Sequence, residues 1–226
     1  MADATLSIPV TNIVNKKRGK PRSEVGMFDV PDHYTTVVLK ERFEKHKEYI
    51  SSTLETKKST GINFRLPNMP EDISENIAKF IIQNHVGDKS SKWTKGICSK
   101  GQKISGDLIS EKEGTQEVKW FASDGPSSFG PKEKWNVIYF LDGRNWLDDK
   151  FILWRVPLSN DSAEWKSLKV NKNQTYEEQS GMGRRPRNNW DDIKEQIGSY
   201  ATLVFEGKFD EIFIPREETL IYPRSA

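Results

Sequence analysis

Cysteine is almost missing from this chain: Cys98 is the single one in 226 residues. An internal disulfide and the multi-cysteine zinc frameworks are therefore excluded, and a reducing compartment is expected. Histidine is scarce too, and His33, His46 and His85 stand at no metal-binding spacing. No apolar run approaches the roughly 18 to 20 residues that cross a bilayer, and the first residues lack the apolar core of a secretory signal. These absences lead to the expectation of a soluble cytoplasmic protein without a membrane partner. Neither a P-loop nor a GxSxG elbow is present, which removes support for NTPase, kinase and serine hydrolase chemistry. Charge of one sign is not in excess either. Lys and Arg number 35 against 33 Asp and Glu, a net charge of +2, so a nucleic-acid site must be local rather than a property of the whole surface.

What is present is charge of both signs, 30% of residues, and a good supply of large rings: seven Trp, six Tyr and eleven Phe. Rings in that number argue against disorder, and the length suits one large domain with a sizeable core. We read residues 1–30 as a basic arm and 31–226 as a single domain. From Asp32 to about Lys57, Val38, Phe43, Tyr49, Ile50 and Leu54 recur with broadly helical spacing, which predicts a long, partly exposed helix. "PNMPEDISENIAKFIIQNHVG" predicts a second, with Pro70 and acids at its start and Gly87 past its end. Glu75 of that helix falls beside Ala78 and Ile82. Four strands are predicted in "QKISGDLIS", "TQEVKWF", "WNVIYFL" and "KFILWRV", separated by turn-rich segments. "NNWDDIKEQIGSYATLVF" returns to helical spacing, and "FDEIFIP" reads as a late edge strand ended by Pro215. The fold class is α/β or α+β, with a central mixed sheet flanked by helices.

The chemistry concentrates in "GDLISEKEGTQEVKW", Gly106 to Trp120. Side chains alternate along a strand, so Glu117 and Lys119 project to one side and Val118 to the other. If "EKEG" turns the chain, Asp107 comes alongside, and the three groups meet at one sheet edge. Two carboxylates held close repel each other, a repulsion that a divalent cation relieves. A hard cation beside a lysine suits hydrolysis of a phosphodiester: the metal polarises the phosphoryl oxygens and the lysine orients or helps deprotonate a water. A solvated hairpin carrying an ordinary surface ion pair is the bland alternative.

A helix bearing an acid, then "GD", then "EVK" on the following strand resembles the core of the PD-(D/E)XK nucleases, and the single compact domain resembles a type II restriction endonuclease. The resemblance covers about residues 70–156. It implies that Asp107 and Glu117 bind Mg2+, that Val118 contributes its backbone oxygen, and that Lys119 serves the attacking water. Glu75 would match the additional helix acid of some members; a helix-dipole role at the N-terminus is its alternative. Gly106 stands where the motif name has proline. The same resemblance implies double-stranded DNA as substrate and a homodimer matched to a palindromic site, with the long first helix as a candidate dimer surface.

Two basic segments suit DNA. "KKRGKPR" (Lys16 to Arg22) resembles the AT-hook core, whose extended chain lies in an A·T-rich minor groove; Arg18, Lys20 and Arg22 are the candidate contacts. "GMGRRPRNNW" places Arg184, Arg185, Arg187, Asn188 and Asn189 in a glycine-bounded loop, residue types that pair with guanine, adenine or phosphate. "SDGPSSFGPKEKW" follows the Glu117 strand directly and would bring Ser127, Ser128, Lys132 and Lys134 near the scissile backbone. The rival readings are a non-catalytic DNA-binding protein and a structure-selective or repair nuclease with the same core.

Overall fold

The computed structural model describes residues 31–97 and 105–216. The hook-like segment with Arg18, Lys20 and Arg22 lies outside the described residues, as does Cys98. In chain order the elements are helix α1 (Thr36–Thr60), helix α2 (Glu71–Ile81), strand β1 (Lys92–Trp93), helix α3 (Thr94–Ile97), and strands β2 (Leu108–Ser110), β3 (Gly114–Phe121), β4 (Ser127–Ser128), β5 (Val137–Asp142) and β6 (Lys150–Val156). Helix α4 (Ala163–Lys166), strands β7 (Lys169–Asn171) and β8 (Gln174–Thr175), helix α5 (Tyr176–Gly181), strand β9 (Arg187–Asn188), helix α6 (Trp190–Ile197) and strand β10 (Thr202–Lys208) complete the set.

Six strands form one mixed sheet in the order β1-β2-β3-β5-β6-β10. The pair β3 and β5 is parallel, whereas β2 with β3, β5 with β6 and β6 with β10 are antiparallel. So β3 is flanked by β2 and β5, but its pairing with β2 stops at Gln116, and from Glu117 onward the β2 side of β3 is open, with Asp107 beside it. Alternation along β3 sends Val118 into the apolar cluster formed with α1 and α2, and Phe121 into the opposite cluster. Glu117 and Lys119 share the Phe121 side. The same alternation divides β5, where Val137, Tyr139 and Leu141 join the first cluster and Ile138 and Phe140 the second.

Helix α1 begins where Thr35 caps Val38 N–H and ends at Lys57 to Thr60. Only Leu39, Phe43 and Ile50 are buried. Val38 and Tyr49, which the spacing put on the apolar face, are exposed, because the helix touches the core along a stripe only three residues long. Helix α2 is buried almost all round, including Ser74, Glu75, Asn76 and Lys79. Burial of that many polar groups requires partners. Lys79 Nζ reaches Asp32 Oδ2 at 2.8 Å and the Tyr34 carbonyl at 2.8 Å, and Asn76 donates to Asp72 O. A turn of π-helix, Ile82–Val86, carries the chain to Gly87, with Asn84 Nδ2 donating to Ile212 O.

On the other face Trp135 and Trp165 are essentially inaccessible and meet edge to face at 5.4 Å, joined by Phe129, Phe140, Tyr176 and Trp190. Truncating a buried ring of this size costs about 3–5 kcal/mol. This aromatic layer is therefore the rigid floor on which the loop from Phe129 to Trp135 and the segment from Tyr176 to Trp190 are laid.

Two elements differ from the sequence reading. Helix α6 ends at Ile197, and Thr202 to Phe205, read as its continuation, belong to the edge strand β10. "FDEIF" is a 3-10 helix, Phe209–Phe213, instead of an edge strand. Its capping box with Glu211 and the burial of Phe209 and Ile212 on one side favour a tight turn packed under α1 and α2 over an extended edge.

Candidate active site

The site is built from the β2–β3 pair outward. Asp107 precedes β2, and its N–H donates to Gln116 O at 3.0 Å. Two residues further along β3, Val118 N–H has no backbone partner on that side and is taken by Asp107 Oδ2 at 2.9 Å. The carboxylate thus continues the ladder and is fixed against β3. A strand residue turns its N–H and C=O to the same side, so the Val118 carbonyl also faces the side where Asp107 lies. Gly106 has φ +81°, and a Cβ there would come within 3.0 Å of Gln116 O. Proline is locked near −65° and cannot occupy this position, which explains why glycine stands here.

Lys119 Nζ lies 2.5 Å from Glu117 Oε1 and 3.2 Å from Glu133 Oε2, with the Phe129 ring 5.4 Å away. Glu75, on α2, receives Trp93 Nε1–H at 2.5 Å and Lys95 Nζ at 3.0 Å, and Lys95 also reaches Glu71. Burial and the neighbouring Asp107 push the Glu75 carboxyl up to about 7. Burial and Asp107 push Glu117 up to about 8, against the pull of Lys119. Asp107 is itself raised, chiefly by burial, although its bond from Val118 N–H opposes this. Burial works against the Lys119 ammonium, but Glu117 and Glu133 outweigh it and hold the amine protonated. Asp107 therefore makes both Glu75 and Glu117 harder to ionise, on top of the burial that raises all three.

That is the field a divalent cation neutralises. Among the described residues no three carboxylates or imidazoles are gathered into a closed metal cage. Mg2+ does not need one, since it keeps several waters and takes one or two carboxylates together with substrate phosphate. Asp107, Glu117 and the Val118 carbonyl are a hard-oxygen donor set of that kind, and they fit such an ion.

The cluster opens into a cleft of about 900 Å³. It is lined on one side by Ile50, by Leu66 to Met69 of the α1–α2 connection and by Glu75, and further by Lys95, Ser127, Glu133, Arg144 and Arg187. Its position beyond the carboxyl end of the parallel pair β3 and β5 is where ligands bind in α/β sheets. Gly143 closes the floor. A Cβ on Gly143 would lie 1.7 Å from Trp120 Cη2, so Gly143→Ala is expected to force out the ring that follows Lys119. A melting-temperature fall of several degrees is the expected result; an unperturbed melt would show that Trp120 has room to move.

The other predicted residues divide. Ser127 and Arg187 line the cleft, held together because β4 pairs with β9. Ser128 is half-buried opposite Arg187. Arg184 and Arg185 are exposed, and Arg185 borders a smaller recess with Gly106, Lys132 and Glu133. Lys134 is exposed and lines neither hollow. Asn188 is buried, and its amide donates to Lys169 O at 3.0 Å. Asn189 caps α6, accepting from Asp192 N–H at 2.7 Å. Both asparagines are committed to the fold, so contact with a base edge would require breaking these bonds. Sequence reasoning missed Glu133, Lys95, Trp93 and Arg144. The partners that draw Glu133, Lys95 and Trp93 into the site are 14 to 20 residues away, beyond any local periodicity, whereas Arg144 is fixed by Asp142 two residues before it.

Residues 34–197 match a family model described as Bsp6I restriction endonuclease. That span is well over half of the chain and includes Glu75, Asp107, Glu117 and Lys119, and the chain belongs to the Bsp6I restriction endonuclease family. It is similar to the type II restriction enzyme Bsp6I of Bacillus sp. (strain RFL6), with 39% identity over 61 residues, 27% of this chain and 33% of that enzyme. The chain thus spans about a third of the length of this curated relative. No solved structure matches. Among the described residues no helix is long and apolar enough to cross a membrane.

Proposed function

We propose that the chain is a Mg2+-dependent type II restriction endonuclease that hydrolyses phosphodiester bonds of double-stranded DNA at a defined sequence. The observation that carries this reading is the clamp of Asp107 onto Val118 N–H. It places one carboxylate, one inward carbonyl, Glu117 and Lys119 on adjoining strands at the bottom of a cleft.

Asp107, Glu117 and the Val118 carbonyl would hold the cation, which when bound would supply Lewis-acid polarisation of the phosphoryl oxygens and activation of the attacking water. Lys119, kept protonated by Glu117 and Glu133, donates hydrogen bonds to the attacking water or to the phosphoryl group and offsets the charge that develops there. Glu75, tied by Trp93 and Lys95, adds a third negative group that draws the cation inward. Ser127 and Arg187 reach the backbone of the same strand, and Arg184 and Arg185 extend the contact along the duplex. The basic segment Arg18 to Arg22 supplies further phosphate contacts. A homodimer would present one such cleft to each strand of a palindrome.

Incubating supercoiled plasmid with the chain and Mg2+ tests the reading. Discrete linear fragments with fixed ends are expected, and EDTA abolishes them. Intact plasmid that is nonetheless bound favours a non-catalytic DNA-binding protein, and cutting only at branched or damaged DNA favours a structure-selective nuclease.

A further inference from the structure

Arg144 lines the same cleft as Glu117 and Lys119 but holds neither of them. Asp142 ends β5, Gly143 N–H donates to Phe121 O at 2.8 Å, and Arg144 follows directly. Its guanidinium has two differently engaged edges. Nε lies 3.1 Å from both Asp142 oxygens and Nη2 2.6 Å from Oδ2, and the Asp142 side chain is only 6% exposed. The guanidinium carbon lies 5.5 Å from the Phe121 ring. Nη1, on the outer edge, meets Asp124 at 2.9 Å and Asp191 at 3.3 Å, whose side chains are 80% and 59% exposed. The inner fork is a buried, charge-assisted pair with fixed geometry. The outer pairs are surface ion pairs of the kind worth about 0–1 kcal/mol each.

We propose that Arg144 is a DNA-phosphate anchor in the wall of the cleft, set in place by Asp142 and covered, in the DNA-free protein, by Asp124 and Asp191. The inference rests on the nuclease reading above. A backbone phosphate takes the Nη1 edge, and the two surface carboxylates swing away. Phosphate suits this edge because the guanidinium presents planar donors already oriented by Asp142 and Phe121, so little side-chain freedom is lost on binding. Asp124 lies in the turn before β4 and Asp191 in the first turn of α6, so they approach Arg144 from separate elements. Neither has a buried role that displacement would sacrifice.

The test uses the full chain, linear plasmid DNA and Ca2+, with affinity measured across a salt series, and plasmid cleavage in Mg2+ run beside it. Arg144→Met is expected to weaken binding roughly 10-fold and to lower the salt slope by about one. The pair Asp124→Asn and Asp191→Asn removes negative charge from the cleft in any event, so its effect is compared in two backgrounds. Tightening of severalfold with Arg144 present, and roughly half of that or less on Arg144→Met, is the expected coupling. Equal tightening in both backgrounds overturns the proposal, as does an Arg144→Met protein of unchanged affinity and salt slope. Should Arg144→Met fail to fold because Asp142 is left unpaired, Asp142→Asn with Arg144→Met takes its place in the same cycle. Wild type that cuts and binds while these variants show no coupling removes Arg144 alone; wild type that does neither removes the nuclease reading with it.

Discussion

Replacing Lys119 by alanine is expected to slow cleavage of plasmid DNA by roughly 10³-fold in Mg2+, while binding in Ca2+ stays within a few fold of wild type. Losing one preorganised donor to developing charge typically costs about 10²–10³-fold, and the lost positive charge at a developing phosphorane places this case at the upper end. The amine is held between Glu117 and Glu133. Asp107→Ala is expected to be comparably damaging for a different reason, since it removes an oxygen donor and also frees Val118 N–H. Single-turnover cleavage separates the chemical step from release, and a melting curve for each variant excludes global unfolding. A protein carrying both changes that still cuts within tenfold of wild type would refute the site.

The convergence of Asp107, Glu117 and Lys119 was legible because its geometry is local. A turn at "EKEG" and strand alternation suffice to bring Asp107, Glu117 and Lys119 together, and helix α2 announced itself through Pro70, its early acids and Gly87. What lay hidden is set by tertiary contact. Thr202–Lys208 continues the apolar spacing of Ile193 and Ile197, and only its pairing with β6 makes it a strand. The π turn at Ile82–Val86 depends on Asn84 bonding Ile212 O across 128 residues. Glu133 enters the site because Trp135 and Phe129 anchor its loop in the aromatic layer, which no motif records. The asparagines are a different case. Asn189 followed by Asp192 at the mouth of α6 carries an N-cap pattern in plain view, and preference for a base-reading role passed over the simpler capping one.

Glu133 and Lys95 together show how the cleft keeps its acids in check. Lys119 lies between Glu117 and Glu133, and Lys95 between Glu75 and Glu71, so each amine divides its charge between an inner and an outer carboxylate. Asp107 acts on both Glu75 and Glu117, takes the Val118 N–H, and feels Lys119 and Lys95 only through space. On the proposed reading a cation would meet Asp107 with no lysine in direct contact, whereas Glu117 would have to share with Lys119, which keeps Glu133 as a second partner.

Raising the pH from 7 to 8.5 in EDTA is expected to lower the melting temperature by roughly 3–7 °C, on the scale of about 2–4 °C per kcal/mol for a chain this long. Glu75 and Glu117 titrate near 7 and 8 in the folded chain, against ordinary values of 4.5. The folded chain holds these protons more tightly than the unfolded one. Their contribution is therefore complete below about 4.5 and is lost as the pH rises through 7 and 8. Lys95 and Glu71 face Glu75, Lys119 and Glu133 face Glu117, and Asp107 acts on both; the two lysines stay charged throughout the window. His46 and His85, lowered by burial, are neutral above pH 7 and contribute no slope there. Mg2+ replaces the lost protons, so its stabilising effect is expected to grow from pH 7 to 8.5, as ligand deprotonation requires. Glu117→Gln is expected to flatten both trends while preserving the bond to Lys119 through its amide oxygen. A wild-type melting temperature that rises across this window in EDTA, or Mg2+ protection that is the same at both ends, would mean that the acids are not buried against one another and that the cation has no reason to bind there.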